Sequence, residues 1–302
     1  MRKLALAAAT AAVLASPMVV STAYAQAAAA PASPHTFTGN MTIASDYRFR
    51  GISQTYLGPT IQGGIDYSHS SGFYVGNWNS NVSGLAYNNG NNIEMDFYAG
   101  WKKTWGDWGI DLGGLYYYYD SARWNGIMQG GAAVNTSGRY DNGELYIAGS
   151  WKFITVKYSH SLTNYFGLNS DFGRNFTSKD CIVNGGCGAQ PRAGNLVGVN
   201  EDRGNSKGTG YLEVNASYEF APKWTVSGHV GHTKVKNFGE LSYTDYKVGV
   251  TYDLSGWVLG AAVVGTNANN QWYYNVRNVG GSGNSAKDTG KTTLVLSVAK
   301  SF

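Results

Sequence analysis

Charged residues at every second position are where this sequence could do chemistry. "SDYRFRGIS", Ser45 to Ser53, sets Asp46, Arg48 and Arg50 alternately with Tyr47 and Phe49. In an extended chain alternate side chains point to opposite faces, so the three charges share one face and the two aromatics the other. The spacing recurs in Glu94 with Asp96 and in Asp245 with Lys247. Asp66, Asp111, Glu144, Lys157 and Glu213 stand singly in similar alternating runs. Rings of such charges around confined water filter ions by sign. Other residues offer other chemistry. Cys181 and Cys187 in "CIVNGGC" are close enough to form a disulfide across a Gly-rich turn. A metal pair is the rival reading, with no His in the loop to complete it. His69 and Ser71 have the spacing of a base and a nucleophile on one strand face, as a lipid hydrolase would need, but no third residue that would orient the His can be identified. His160, His229 and His232 stand alone in strands or at a loop. Without a phosphate loop, haem motif or zinc spacing, neither a cofactor nor a metal site is expected.

The elements that position these residues are read from the whole chain. It opens "MRKLALAAATAAVLASPMVVSTAYAQ": a basic start at Arg2 and Lys3, an apolar run from Leu4 to Val20, and Ala23-Tyr24-Ala25 as a small-residue cleavage site. Residues 1–25 are expected to be a signal peptide and 26–36 a flexible leader. The 302 residues less the first 25 leave 277 in the mature chain. Beyond residue 25 no stretch approaches the roughly 18 apolar residues of a transmembrane helix. Loss of Arg2 and Lys3 leaves 21 basic against 19 acidic residues, too even a balance to point to nucleic acid. The 41 Gly, 22 Tyr and 9 Trp, beside only 6 Pro, favour an all-β chain with many turns and an aromatic excess.

Period-two reading gives twelve strand candidates: residues 37–51, 59–69, 72–82, 91–102, 107–119, 142–152, 154–163, 208–220, 223–233, 242–253, 256–266 and 291–302. Most have the length of a tilted strand that crosses a bilayer. The first places Phe37, Met41, Ile43, Tyr47 and Phe49 on an outward apolar face. Connections alternate between brief ones such as "SSG", "APK" and "LSG" and longer ones, including 120–141, 164–207 and 267–290. Short turns at one end and long loops at the other are the layout of a transmembrane up-and-down antiparallel β-barrel of about twelve strands, spanning 37–302, with periplasmic turns and extracellular loops. The twelve charged residues from Asp46 to Lys247 named above are then expected to line the lumen. Acids slightly outnumber bases at the inward positions, and Asp66 is expected near the arginines of the first strand.

The final run, "KTTLVLSVAKSF", alternates apolar residues up to Phe302 and resembles the C-terminal signature of bacterial outer-membrane proteins. That implies recognition by the barrel-assembly machinery, with Phe302 as the assembly signal. Lys300 departs from the pattern, which usually has an apolar residue there. "ASDYRFRGISQT", "PTIQGGIDY", "GFYVGNWNSNV", "IEMDFYAGW", "YTDYKVGV" and "LSVAKSF" together resemble the TorF-type porins of proteobacteria, from about residue 37 to the end. The resemblance implies an outer-membrane barrel of a Gram-negative bacterium, in contact with membrane lipid, that passes small hydrophilic solutes or ions and is not an enzyme. A non-conducting barrel whose loops serve adhesion or assembly is the alternative, and a lipid hydrolase a third.

Overall fold

Alternating apolar and polar residues favour strands, because only an extended chain gives each kind a face of its own. The computed structural model describes residues 33–83, 92–120, 122, 128–129, 132–133, 139–168, 204–268 and 287–302. In it twelve antiparallel strands close into one barrel. They are β1 (His35–Ala44), β2 (Thr60–His69), β3 (Phe73–Asn81), β4 (Ile93–Trp105), β5 (Trp108–Tyr119) and β6 (Asn142–Trp151), followed by β7 (Ile154–Ser161), β8 (Gly210–Ala221), β9 (Trp224–Lys234), β10 (Tyr243–Leu254), β11 (Trp257–Thr266) and β12 (Thr293–Ser301). Each strand pairs with its neighbours in the chain, and β12 returns to pair with β1. The expected signal peptide, Cys181 and Cys187 lie outside the described residues.

The usual inside and outside are exchanged. Ile61, Ile65, Val75, Phe97, Val248 and Leu296 stand exposed on the outer face, Ile65 at 68% and Val248 at 63%, while Glu94, Glu144 and Asp245 are buried within. A closed barrel leaves no backbone edge unpaired, so such a wall can meet hydrocarbon. Aromatic side chains collect at the end with the short turns: Trp108 lies 6.2 Å from Trp151, Phe153 5.7 Å from Tyr218, and Trp224 4.8 Å from Tyr252. This is where a girdle at a bilayer interface belongs. Lys300 fits the same belt, its ammonium 4.7 Å from the Trp257 ring centroid. The turns are tight. Between β10 and β11 both Ser255 (φ 53°) and Gly256 (φ 86°) are left-handed, the geometry whose twist matches that of the strands it joins.

The first expected strand is cut short. β1 ends at Ala44, and the chain then turns into the barrel as a small hairpin in which Arg48–Phe49 pairs with Ile52–Ser53. Arg50 (φ 45°) and Gly51 (φ 79°) reverse the direction. A Cβ on Gly51 would collide with the side chains of Thr266 and Asp245, so glycine is needed there for space as well as for φ. The expectation that Tyr47 and Phe49 face lipid is therefore corrected: Tyr47 is fully buried and Phe49 is 6% exposed, both inside the barrel.

Phe302 lies at the closing seam. Its N–H donates to the Gly39 carbonyl (2.9 Å), and the Gly39 N–H donates to the Phe302 carbonyl (2.7 Å). A Cβ on Gly39 would lie 2.5 Å from the Phe302 ring, so any larger residue there displaces the ring. Deletion of Phe302 and the substitution Gly39→Val are both expected to impair closure while leaving export intact. The check is the fraction of chain that shows heat-modifiable gel mobility in the outer membrane, and wild-type amounts for both variants would mean the seam is not needed for assembly.

Candidate functional site

The hairpin that leaves β1 is the organising feature of the interior. Asp46 is held by three donors: Arg48 Nε to Oδ2 (2.6 Å), and Ser53 Oγ (2.6 Å) and Thr55 Oγ1 (2.9 Å) to Oδ1. Arg48 Nη1 donates to the carbonyls of Gly51 (2.9 Å), Thr289 (3.0 Å) and Lys291 (3.1 Å), tying the hairpin to the chain just before β12. Arg50 extends the other way. Its Nη2 donates to both oxygens of Glu144 on β6, at 3.0 and 2.7 Å, and the guanidinium carbon lies 4.1 Å from the Tyr211 ring centroid. Both side chains of the Arg50–Glu144 pair are 3% exposed. Asn142 Nδ2 also donates to Glu144, at 3.0 Å. The expected proximity of the arginines to Asp66 is not realised: Asp66 accepts a 2.5 Å hydrogen bond from Tyr98 Oη instead.

The aromatic side of the hairpin packs into the β3–β6 half of the lumen. Tyr47 and Phe49 join Trp78, Tyr98, Leu115, Tyr117, Tyr119 and Tyr146 in a buried cluster. Tyr47 Oη and Tyr119 Oη each donate to Glu94 at 2.6 Å, one to each carboxylate oxygen. Phe166, from a short turn after β7, stacks edge-on against Phe49 at 5.4 Å. The barrel thus carries an apolar core inside its wall on this side.

Glycines in the strands explain how so many tyrosines fit. Asp66, Gly76 and Tyr98 are register partners across β2, β3 and β4, so the Tyr98 ring lies over Gly76 and its hydroxyl reaches Asp66. Tyr74, Gly100, Gly113 and Tyr146 form a similar row across β3 to β6. There the two hydroxyls meet above the glycine pair, and Tyr74 donates to Asp111 at 2.6 Å. Tyr211 crosses Gly231 to reach both oxygens of Asp245 at 3.1 Å. The rings therefore lie along the wall.

The β8–β12 half differs. A cavity of about 120 Å³ lies there, lined by the hairpin charges, by Tyr211, Glu213, Asn215, His229, Asp245 and Lys247, and by small residues of β10 to β12. Lys157 Nζ lies 3.5 Å from Glu213, and Asn215 Nδ2 donates to Glu213 at 2.9 Å. His229 stands 2.7 Å from Asp245 through Nε2 and 2.7 Å from Asn215 through Nδ1. Beside these charges Ala44, Val264 and Val295 form a small apolar cluster. Asp96 faces the interior of the other half, with Oδ1 buried and unpartnered.

All twelve charged residues singled out by spacing face the barrel interior, but they are divided between a packed half and a hollow half. The spacing missed Tyr98, Tyr119 and Tyr211, which hold the carboxylates, and His229, a single strand residue whose partners come from other strands. Tyr98 is register-paired with Gly76, but Tyr119 pairs with Glu94 and Tyr211 with Thr233, so no single pattern marks the three. His69 Nδ1 does meet Ser71 Oγ at 2.6 Å on the exposed short-turn rim. No carboxylate hydrogen-bonds that His among the described residues.

An apolar outer face, a polar interior and full closure define a membrane-type β-barrel. The chain belongs to the family described as "Bacterial protein of unknown function (Gcw_chp)", which it matches over residues 28–302. No curated protein matches it. Among solved structures it is similar to a KdgM porin in complex with disordered oligogalacturonate, at 11% identity and a TM-score of 0.45, covering 88% of this chain and 99% of that one. It is also similar to a NanC porin, at 9% identity and a TM-score of 0.45, with 88% and 99% covered. A mutant porin of Rh. blastica aligns at 14% identity and a TM-score of 0.32, over 80% of this chain and 55% of that one.

The Arg50–Glu144 pair is expected to hold the hairpin in place. Removing one partner of a buried pair costs about 3–5 kcal/mol, because the other charge is left uncompensated. Glu144→Gln should therefore loosen residues 46–55 by about 3 kcal/mol, read as faster amide exchange in that segment. The double substitution Arg50→Met with Glu144→Leu should recover much of the protection. Equal exchange in wild type and Glu144→Gln would show that the aromatic packing alone holds the hairpin.

Proposed function

We infer that this protein is an outer-membrane porin that passes small hydrophilic solutes or ions, with its aqueous path along the β8–β12 half of the lumen. The observation that carries the reading is the unequal filling of the interior: one half is packed with aromatic rings, and the other keeps a cavity between charged and small side chains. Twelve strands enclose a lumen between the filled interior of an eight-stranded barrel and the wide channel of a sixteen-stranded one. The outer apolar band, the aromatic belt at the short-turn end and the sequence resemblance to TorF-type porins support an outer-membrane placement after removal of residues 1–25. A disulfide between Cys181 and Cys187 in the extracellular loop belongs to the same reading, and mass spectrometry without reductant that found two free thiols would refute it.

The packed half favours a second reading, a non-conducting barrel that presents its loops. Single-channel recording of the refolded protein separates the two. Replacing Arg48 and Arg50 together by Ala removes two positive charges and releases Asp46 and Glu144 from their partners. The double variant is therefore expected to conduct more and to shift its reversal potential in a salt gradient toward cations. An unchanged potential in a correctly folded variant would place the arginines outside the ion path, and the absence of current from the wild type would leave the loop-presenting barrel. Release of fatty acid from phospholipid by the folded wild type would establish instead the hydrolase reading of His69 and Ser71.

A further inference from the structure

The cavity on the β8–β12 side has acids whose acceptors are occupied and a base whose donors are free. Asp46 is bonded by Arg48, Ser53 and Thr55; Glu213 by Asn215, with Lys157 close by; and Asp245 by Tyr211, with His229 at 2.7 Å. Lys247, half-buried on β10, lines the same cavity. Among the described residues, however, no acceptor lies within hydrogen-bond reach of its ammonium, and no carboxylate lies within 4.0 Å. The two guanidiniums on the same wall are also short of acceptors. Arg48 Nη2 and Arg50 Nε are buried without one, on side chains only 4% and 3% exposed. A charged group in a low-dielectric site gains most from a partner that both neutralises it and accepts its hydrogen bonds.

On its β9 side Lys247 is paired with His229, and on its β11 side the wall is apolar. Its register partner on β11 is Val264, which packs with Ala44 and Val295, and Ala262 lies against this cluster. A lysine with free donors and a small hydrophobic surface thus line one cavity, one strand pairing apart.

We propose that this cavity is a binding subsite for a small organic carboxylate with a compact apolar body, the carboxylate on Lys247 Nζ and the body against Ala262, Val264 and Val295. The proposal extends the porin reading, since solute must reach the cavity from a rim. It concerns binding rather than conduction, so the two can fail separately. The acids keep the summed charge of the cavity near balance, so the preference comes from contact with the ammonium and the apolar wall more than from a long-range field.

The test uses fluorine NMR of 4-fluorobenzoate with the folded full-length barrel in nonionic detergent, and empty micelles as the blank. 4-Fluorobenzylammonium supplies the same body with the opposite charge, and trifluoroacetate supplies a carboxylate without the ring. Fluorobenzoate should broaden with the wild type beyond the blank, and the two other probes should not. Lys247→Met should weaken binding at least tenfold and Lys247→Arg should restore most of it. Ala262→Trp, which fills the cavity, should abolish it. Folding of each variant is checked by heat-modifiable mobility. Equal binding by wild type and Lys247→Met, or preference for the ammonium probe, overturns the proposal, as does the absence of binding by a folded wild type. A barrel that binds fluorobenzoate without conducting keeps the subsite and overturns the porin reading; one that conducts without binding does the reverse.

Discussion

The interior depends on one arrangement: a hairpin from one side of the barrel whose guanidinium grips a carboxylate on β6. Arg50 cannot reach Glu144 unless the chain leaves the wall after Ala44, and that departure carries Tyr47 and Phe49 inward with it. Two aromatic rings in a wet lumen would be costly. They are accommodated because β3 to β6 offer an aromatic pocket to receive them. The ion pair, the ring packing and the left-handed backbone at Arg50 and Gly51 support one another. The strain of a non-glycine residue at positive φ persists only where its surroundings fix it.

The glycine and tyrosine rows solve a related problem. A twelve-stranded barrel has more interior than its side chains fill unless some of them are large, yet large side chains that stood upright would close the space. Glycines at Gly76, Gly100, Gly113 and Gly231 let the rings of neighbouring strands lie along the wall, where their hydroxyls reach carboxylates. Asp66 is held in this way by Tyr98, and buried Glu94 accepts from Tyr47 and Tyr119. On β11 and β12 the inward residues, among them Gly260, Ala262, Val264, Val295 and Ser297, are small instead, and the space stays hollow.

Most of the wall was legible in the sequence because an apolar outer face and an inner face that carries the charges impose a period of two. The twelve strands and the inward direction of the charges on them follow from that period, and the long and short connections are the gaps between its runs. The hairpin was not legible for the same reason. Asp46 to Arg50 continue the alternation of β1 without a break, and only Gly51 hints at a reversal. What ends the strand is remote: space beside Thr266 and Asp245, and acceptors on Glu144, Thr289 and Lys291. Pairings such as Tyr98 with Gly76 depend on strand register, which the order of residues within one segment does not display.

The carbonyls that Arg48 grips belong to residues 241 and 243 positions further along the chain. A contact spanning nearly the whole polypeptide cannot form until the last strand has arrived, and the loop closure it requires carries a high entropic cost. Arg48 therefore gains these acceptors only when the end of the chain is in place. While the barrel is still an open sheet, Tyr47 and Phe49 have part of their receiving pocket but Arg48 has none of its distant acceptors. Barrel closure and completion of the interior are in this sense a single event. The sequence of "SDYRFRGIS" acts as a clasp on finished assembly, one that cannot be fastened early.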